Sequence, residues 1–180
     1  KRRKLENKIF TREIFQKYEN IIFPKTINET LDPYKETGEM DLVDFGFRVL
    51  LNLTADFSGI DRPLKSKKET ETLLRLLKIF ASGATLHHST RDHDEVKDEV
   101  REALKEFDRD FLTPSIERRK SIINQNSNED LPNDILTVLL VNDDQLNMPY
   151  DVLQREIAFY LLAGAQTSIH SLVHAFHEIH

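Results

Sequence analysis

The stretch Ala163-Gly164-Ala165-Gln166-Thr167-Ser168 interrupts an otherwise apolar helical run, "IAFYLLAGAQTSIHSLVHAFHEIH", with residues that could do chemistry. Glycine inside a helix costs about 1 kcal/mol relative to alanine, and the chain has only five glycines. At about 100° per residue, Phe159, Ala163 and Thr167 fall within one sector of about 80°. Phe, then Ala and Gly, then Thr describes a notch with a hydroxyl at its lip. Small residues let a flat or bulky group approach the backbone, and a helical threonine can bond the carbonyl four residues earlier or release it to a guest. The same residues also suit plain helix–helix packing, with the threonine satisfied inside its own helix. Further along, His170, His174 and His177 are spaced i, i+4, i+7, and two histidines at i and i+4 can clamp zinc or iron. Neither the Glu-x-x-His of di-iron bundles nor the His-Glu-x-x-His of zinc proteases occurs in the chain. The stripe also reads as the plain polar side of the helix.

Such residues need helices to position them, and the chain reads as helix after helix. Apolar residues recur at helical intervals across 10–34, where Pro24 should bend or split the helix. Leu42, Phe45, Val49, Leu50, Leu53 and Phe57 recur every three or four residues, which predicts one buried helical face. Gly59 and Pro63 in "SGIDRP" close that helix. Residues 39–43, "EMDLV", allow a short strand. A leucine-rich helix follows, then "ASGATLHHSTRDHDE", whose lack of periodicity predicts a mobile loop with His87, His88 and His93 facing solvent. A charged helix carries Val96, Val100, Leu104, Phe107 and Phe111 on one side and is interrupted near Pro114. "NQNSNEDLPN" is a second loop, a short helix spans 134–141, and Pro149 starts the last and longest helix. The predicted class is all-α, with at most the short strand near 39–43.

Composition narrows the function classes. The chain has 180 residues, 25 Lys+Arg against 31 Asp+Glu and a formal charge of −6. That balance argues against a nucleic-acid partner, which leaves a basic footprint. With no cysteine, disulfides and Cys-type zinc sites are excluded within this stretch. The longest apolar run falls far short of the ~20 residues of a spanning helix, and no signal peptide opens the sequence. The chain starts "KRRKLENKIF" and stops at His180 within a helical pattern, so the expectation is one partial domain, 1–180, of a longer protein.

Four segments, in order, resemble the middle of a cytochrome P-450, the haem-thiolate monooxygenase family. The last helix resembles the family's long central helix, whose Ala/Gly-Gly-x-Asp/Glu-Thr signature reads here Ala163-Gly164-Ala165-Gln166-Thr167, followed by Ser168. "SIERRKSIINQ" and "LPNDILTVLLVNDDQL" resemble the basic helix end, loop and short helix before it. "GEMDLVDFGFRVLLNLTADFSGIDRP" resembles the strand-plus-helix ending in Gly-x-Asp-Arg-Pro, and "RRKLENKIFTREIFQKYE" resembles the helix that crosses the haem edge. Together they cover nearly the whole chain.

The resemblance implies haem b as cofactor and dioxygen as oxidant. It also implies a lipophilic small-molecule substrate that is hydroxylated or epoxidised, and an electron donor such as a ferredoxin or flavodoxin. Ala163 and Gly164 would form the groove over the haem, and Thr167 would deliver protons. Phe159 and Leu162 would face the substrate, and Arg3 would pair with a haem propionate through its forked donors. The loop at 81–95 would belong to a lid over the substrate channel, making Leu73–Phe80, Leu86 and Val96 candidates for lipophilic contact. Gln166 departs from the family's acid, because an amide cannot ionise. The family's proximal cysteine is absent, so the fragment alone would be inactive and the full polypeptide, expected in the cytoplasm, would be the enzyme. Against this stand two other readings: a metal-binding histidine stripe, and a non-enzymatic helical interaction domain that uses the 81–95 loop.

Overall fold

The computed structural model describes residues 2–36, 38–125 and 131–179; the side chains of Gln166, Val173, Phe176 and Ile179 lie outside that description. Its elements are α1 (Arg2–Glu6), a 3-10 turn (Asn7–Ile9), α2 (Arg12–Lys17), a π turn (Tyr18–Ile22), α3 (Phe23–Lys35), α4 (Leu42–Ser58) and α5 (Lys67–Ala84). A 3-10 turn (Leu86–His88), α6 (His93–Phe107), a π turn (Asp108–Leu112), α7 (Thr113–Asn124), α8 (Ile135–Val141), α9 (Asp143–Leu146) and α10 (Tyr150–Ile179) follow. The fold is all-α, with no strand among the described residues.

Short polar side chains start these helices. At α5 the Ser66 hydroxyl accepts from the Glu69 N–H (3.2 Å) while the Glu69 carboxylate accepts from the Ser66 N–H (3.0 Å), a reciprocal cap. Asp92 caps α6, and Asp94 and Glu95 in its first turn complement the positive end of the helix dipole. Asp41 accepts from the N–H groups of Val43 and Asp44 at 2.8 and 2.9 Å. This is why the strand allowed at 39–43 does not form. Leu42 already belongs to a capped helix, and no described segment is extended to pair with a strand and satisfy its backbone.

The α-helix is interrupted just before both prolines, as expected, but the helical backbone does not end there. Helical backbone runs through both Pro24 and Pro114, each preceded by a π turn. Phe23 N–H bonds Tyr18 O and Thr113 N–H bonds Asp108 O, five residues back in each case. Proline lacks an N–H and clashes with the carbonyl four residues earlier. The wider turn relieves that conflict without ending the helix. Similarly, the irregular stretch expected at 81–95 shrinks, because α5 continues to Ala84 and α6 starts at His93.

Helix α10 packs chiefly along α4 and also on α5. A Cβ on Gly46 would meet Leu172, and one on Gly164 would meet Thr54. As α4 ascends, its contacts on α10 descend, so the two helices are antiparallel. Arg75 pairs with Glu106, and further along α5 a Cβ on Gly83 would meet Val100, nearer the start of α6, which makes α5 and α6 an antiparallel hairpin. Leu51, Ala55, Leu73, Leu76, Phe107, Ile157 and Leu161 form the centre of the core. The burial of α4 departs from the single apolar face read from sequence. Val49 is buried, but Phe45, Leu50, Leu53 and Phe57 are only half-buried, while Arg48 and Asn52 are buried. α3, α5 and α10 all pack on α4, so more than one side of it is covered.

Candidate functional site

Helix α10 divides its residues sharply. Ile157, Leu161, Ala165 and Ile169 are buried in the core, whereas Phe159 (57% exposed), Ala163 and Thr167 form an open row on the other side. Gly164 stands between these faces, against α4. A Cβ there would lie 2.6 Å from Thr54 Cγ2. Thr54 is held in place because its hydroxyl donates to Leu50 O at 2.7 Å. The glycine therefore admits α4, while its neighbour Ala163 is carried outward, so the two residues of the expected groove meet different surroundings. Thr167 donates its hydroxyl proton to Ala163 O at 2.8 Å, which leaves the oxygen's lone pairs toward solvent. The side chain of Gln166 lies outside the described residues.

Beside Phe159 opens an apolar groove of about 440 Å³ between the end of α5, the start of α6 and α10. Phe80, Leu86 and Val96 line it together with Phe159 and Leu162, so the structure brings five of the residues singled out for lipophilic contact to one place. Leu73, Leu76 and Leu77 instead belong to the core. Sequence reasoning missed Lys97, Arg101 and Arg155, which also line the groove. Their signal was present in α6: Val96, Val100 and Leu104 follow one another at intervals of four, with Lys97 and Arg101 one step round the helix.

Helix α1 closes on the same side of α10. Arg2 reaches Glu6 at 3.3 Å and Glu156 at 3.1 Å. Glu156 lies seven residues before Ala163, hence on nearly the same helical face. Burial raises the Glu156 carboxyl above its ordinary value, with Arg2 opposing. Burial, and then the nearby Glu6, push the Tyr160 hydroxyl well above its usual range. Arg3 is exposed on α1, and its positive charge is felt at Glu156. Arg2 is thus committed to structure, and Arg3 is left at the surface.

His170, His174 and His177 are exposed along the continuation of the row, and His87, His88 and His93 are exposed near the α5–α6 connection. Among the described residues no group of three or more His, Cys, Asp or Glu stands together to hold a metal ion. Nor is any described helix long and apolar enough to cross a membrane. No family model matches the chain, and neither a curated protein nor a solved structure matches it.

Proposed function

We propose that this chain is the central part of a cytochrome P-450-like monooxygenase, with the open row on α10 facing the haem. The observation that carries the reading is the row itself: a large aromatic, a small residue and a hydroxyl on successive turns, exposed beside an apolar groove. The residues fit the group. Ala163 offers backbone that a flat ring can approach, and Arg3 offers an unburied guanidinium to a carboxylate from the neighbouring helix. Haem b would supply the iron on which dioxygen is activated, with electrons from a ferredoxin or flavodoxin, to hydroxylate or epoxidise a lipophilic molecule.

The chain's own residues then have definite tasks. Thr167, already donating to Ala163 O, can accept a hydrogen bond from water and hold that water beside Ala163. Phe159 and Leu162 border both the row and the groove, so they exclude water and orient an apolar substrate. Gln166 cannot ionise, so any proton it helps to move must travel on water. Because the 180 residues include no cysteine, the thiolate ligand has to come from polypeptide outside them.

The test is the absorption spectrum of the full polypeptide, reduced and exposed to carbon monoxide. The expected result is the strongly red-shifted Soret band of thiolate-bound haem. Absence of haem, or a histidine-type band, would overturn the reading.

A further inference from the structure

The groove between α5, α6 and α10 has a lopsided chemistry. Its floor and walls include Phe80, Leu86, Val96, Val100, Phe159 and Leu162, while its charged members are Lys97, Arg101 and Arg155 with no carboxylate among the lining residues. Each cation has an acidic neighbour on its own helix: Lys97 with Asp94 (2.8 Å), Arg101 with Asp98, and Arg155 with Asp151 (2.6 Å). Those acids are exposed and stand outside the groove. Exposed pairs of this kind hold each other weakly in water. A guanidinium has five N–H donors, so an Arg can keep its helical neighbour and still bind a second carboxylate.

From this juxtaposition we infer that the groove binds an amphiphile with an unbranched apolar body and a carboxylate end, of the medium- to long-chain fatty-acid class. Size agrees: about 440 Å³ falls within the usual ~300–1,000 Å³ of small-molecule pockets. The row Val96–Val100–Leu104 spans about 12 Å at 1.5 Å per residue, a length along which a medium-length alkyl chain can lie. Lys97 and Arg101 lie beside this row, and Arg155 stands one turn before Phe159. A carboxylate held by them points the apolar chain along Phe159 and Leu162. As a substrate assignment this rests on the monooxygenase reading; as a binding assignment it does not.

The experiment compares laurate, 1-dodecanol and dodecyltrimethylammonium by displacement of a fluorescent fatty-acid analogue from the full polypeptide. Laurate is expected to bind at least about tenfold tighter than the alcohol, and the cationic amphiphile more weakly still, as charge-assisted hydrogen bonds predict. Arg101→Gln and Lys97→Gln are each expected to weaken laurate about fivefold or more while leaving dodecanol within about twofold. Phe159→Ala should weaken both. Circular dichroism checks that each variant keeps its helicity; these positions are exposed or line the groove and lie outside the core. Equal affinity for acid and alcohol, or laurate binding indifferent to the substitutions, overturns the inference. A thiolate-haem band without acid preference sinks this inference alone, and acid preference without that band sinks the haem reading alone.

Discussion

Gly164 is where a local energetic cost and a tertiary gain are most plainly set against each other. Alanine there would improve helix propensity by about 1 kcal/mol. It would also place a methyl 2.6 Å from Thr54 Cγ2, and Thr54 cannot swing away without breaking its 2.7 Å bond to Leu50 O. Overpacking of this kind costs about 1–3 kcal/mol. Gly164→Ala should therefore destabilise the chain in urea unfolding, and Thr54→Ala should rescue much of the loss. A stabilised Gly164→Ala protein would mean that α4 and α10 are further apart than described. Thr167, four residues back-bonded and exposed, carries no comparable packing role. Its hydroxyl bonds within its own helix, whereas Gly164 sets the approach of two helices.

Between elements, the strongest polar tie is a buried arginine. Arg119 on α7 is 1% exposed. It donates to Asp134 Oδ2 at 2.7 Å, Asp61 Oδ2 at 3.1 Å, Thr137 Oγ1 at 3.1 Å and Ser115 O at 2.9 Å. Burial works against its charge, but Asp134 and Asp61 more than offset this and hold the guanidinium above its ordinary value. The arrangement ties α7, the start of α8 and the turn after α4 together. Gly59 is part of it, because its φ of +90° and a Cβ position 2.5 Å from Asp134 Oδ1 both exclude a side chain. Arg119→Ala would leave Asp134 buried without its cation, at a cost of about 3–5 kcal/mol, readable as a shifted urea midpoint. A midpoint close to the parent's would show that Asp134 is already solvated. Arg118, one residue earlier, is exposed and among the described residues pairs with Asp61; Arg118→Ala is the control and should lie within about 1 kcal/mol.

At the scale of the molecule, an excess of acids over bases is managed by short-range pairing. Lys97 holds the Asp94 carboxyl, Arg91 holds that of Glu99 and Arg109 that of Asp110, each below its ordinary value. Asp44 is lowered by hydrogen bonds from Arg48 and Tyr34, against the opposing effect of burial. A carboxyl lowered on folding contributes stability above its unfolded value, 3.8 for Asp44, and loses it as pH falls through the lower folded value. Glu156, raised by burial, acts in the other sense: its contribution is full below its unfolded value of 4.5 and lost as pH rises through the folded one. The surface carboxylates therefore favour a fall in stability on acidification. Asp44→Asn should lower the urea midpoint at neutral pH, and the loss should be smaller at a pH well below 3.8, as the parent's carboxyl takes up its proton. An equal loss at both pH values would mean that the charge of Asp44 is not what stabilises.

Helical class and the oddity of Ala163 to Ser168 are legible in the chain because they depend on neighbours three or four residues away. So is the row Phe159, Ala163, Thr167, since helical periodicity alone places it on one face. What the sequence could not decide depends on partners far along the chain. Pro24 and Pro114 look like helix breaks until a π turn absorbs each of them. Arg118 and Arg119 are the same residue type one step apart, and only the approach of Asp134 makes the second one core. Ala163 and Gly164 read as one groove, yet α4 packs against the second and leaves the first exposed. Lys97, Arg101 and Arg155 are ordinary surface charges until α5, α6 and α10 gather them around one apolar groove. Periodicity fixes which residues share a face, because local backbone geometry sets it. Which face meets which is decided by packing, because burial depends on surfaces that only the folded chain brings together.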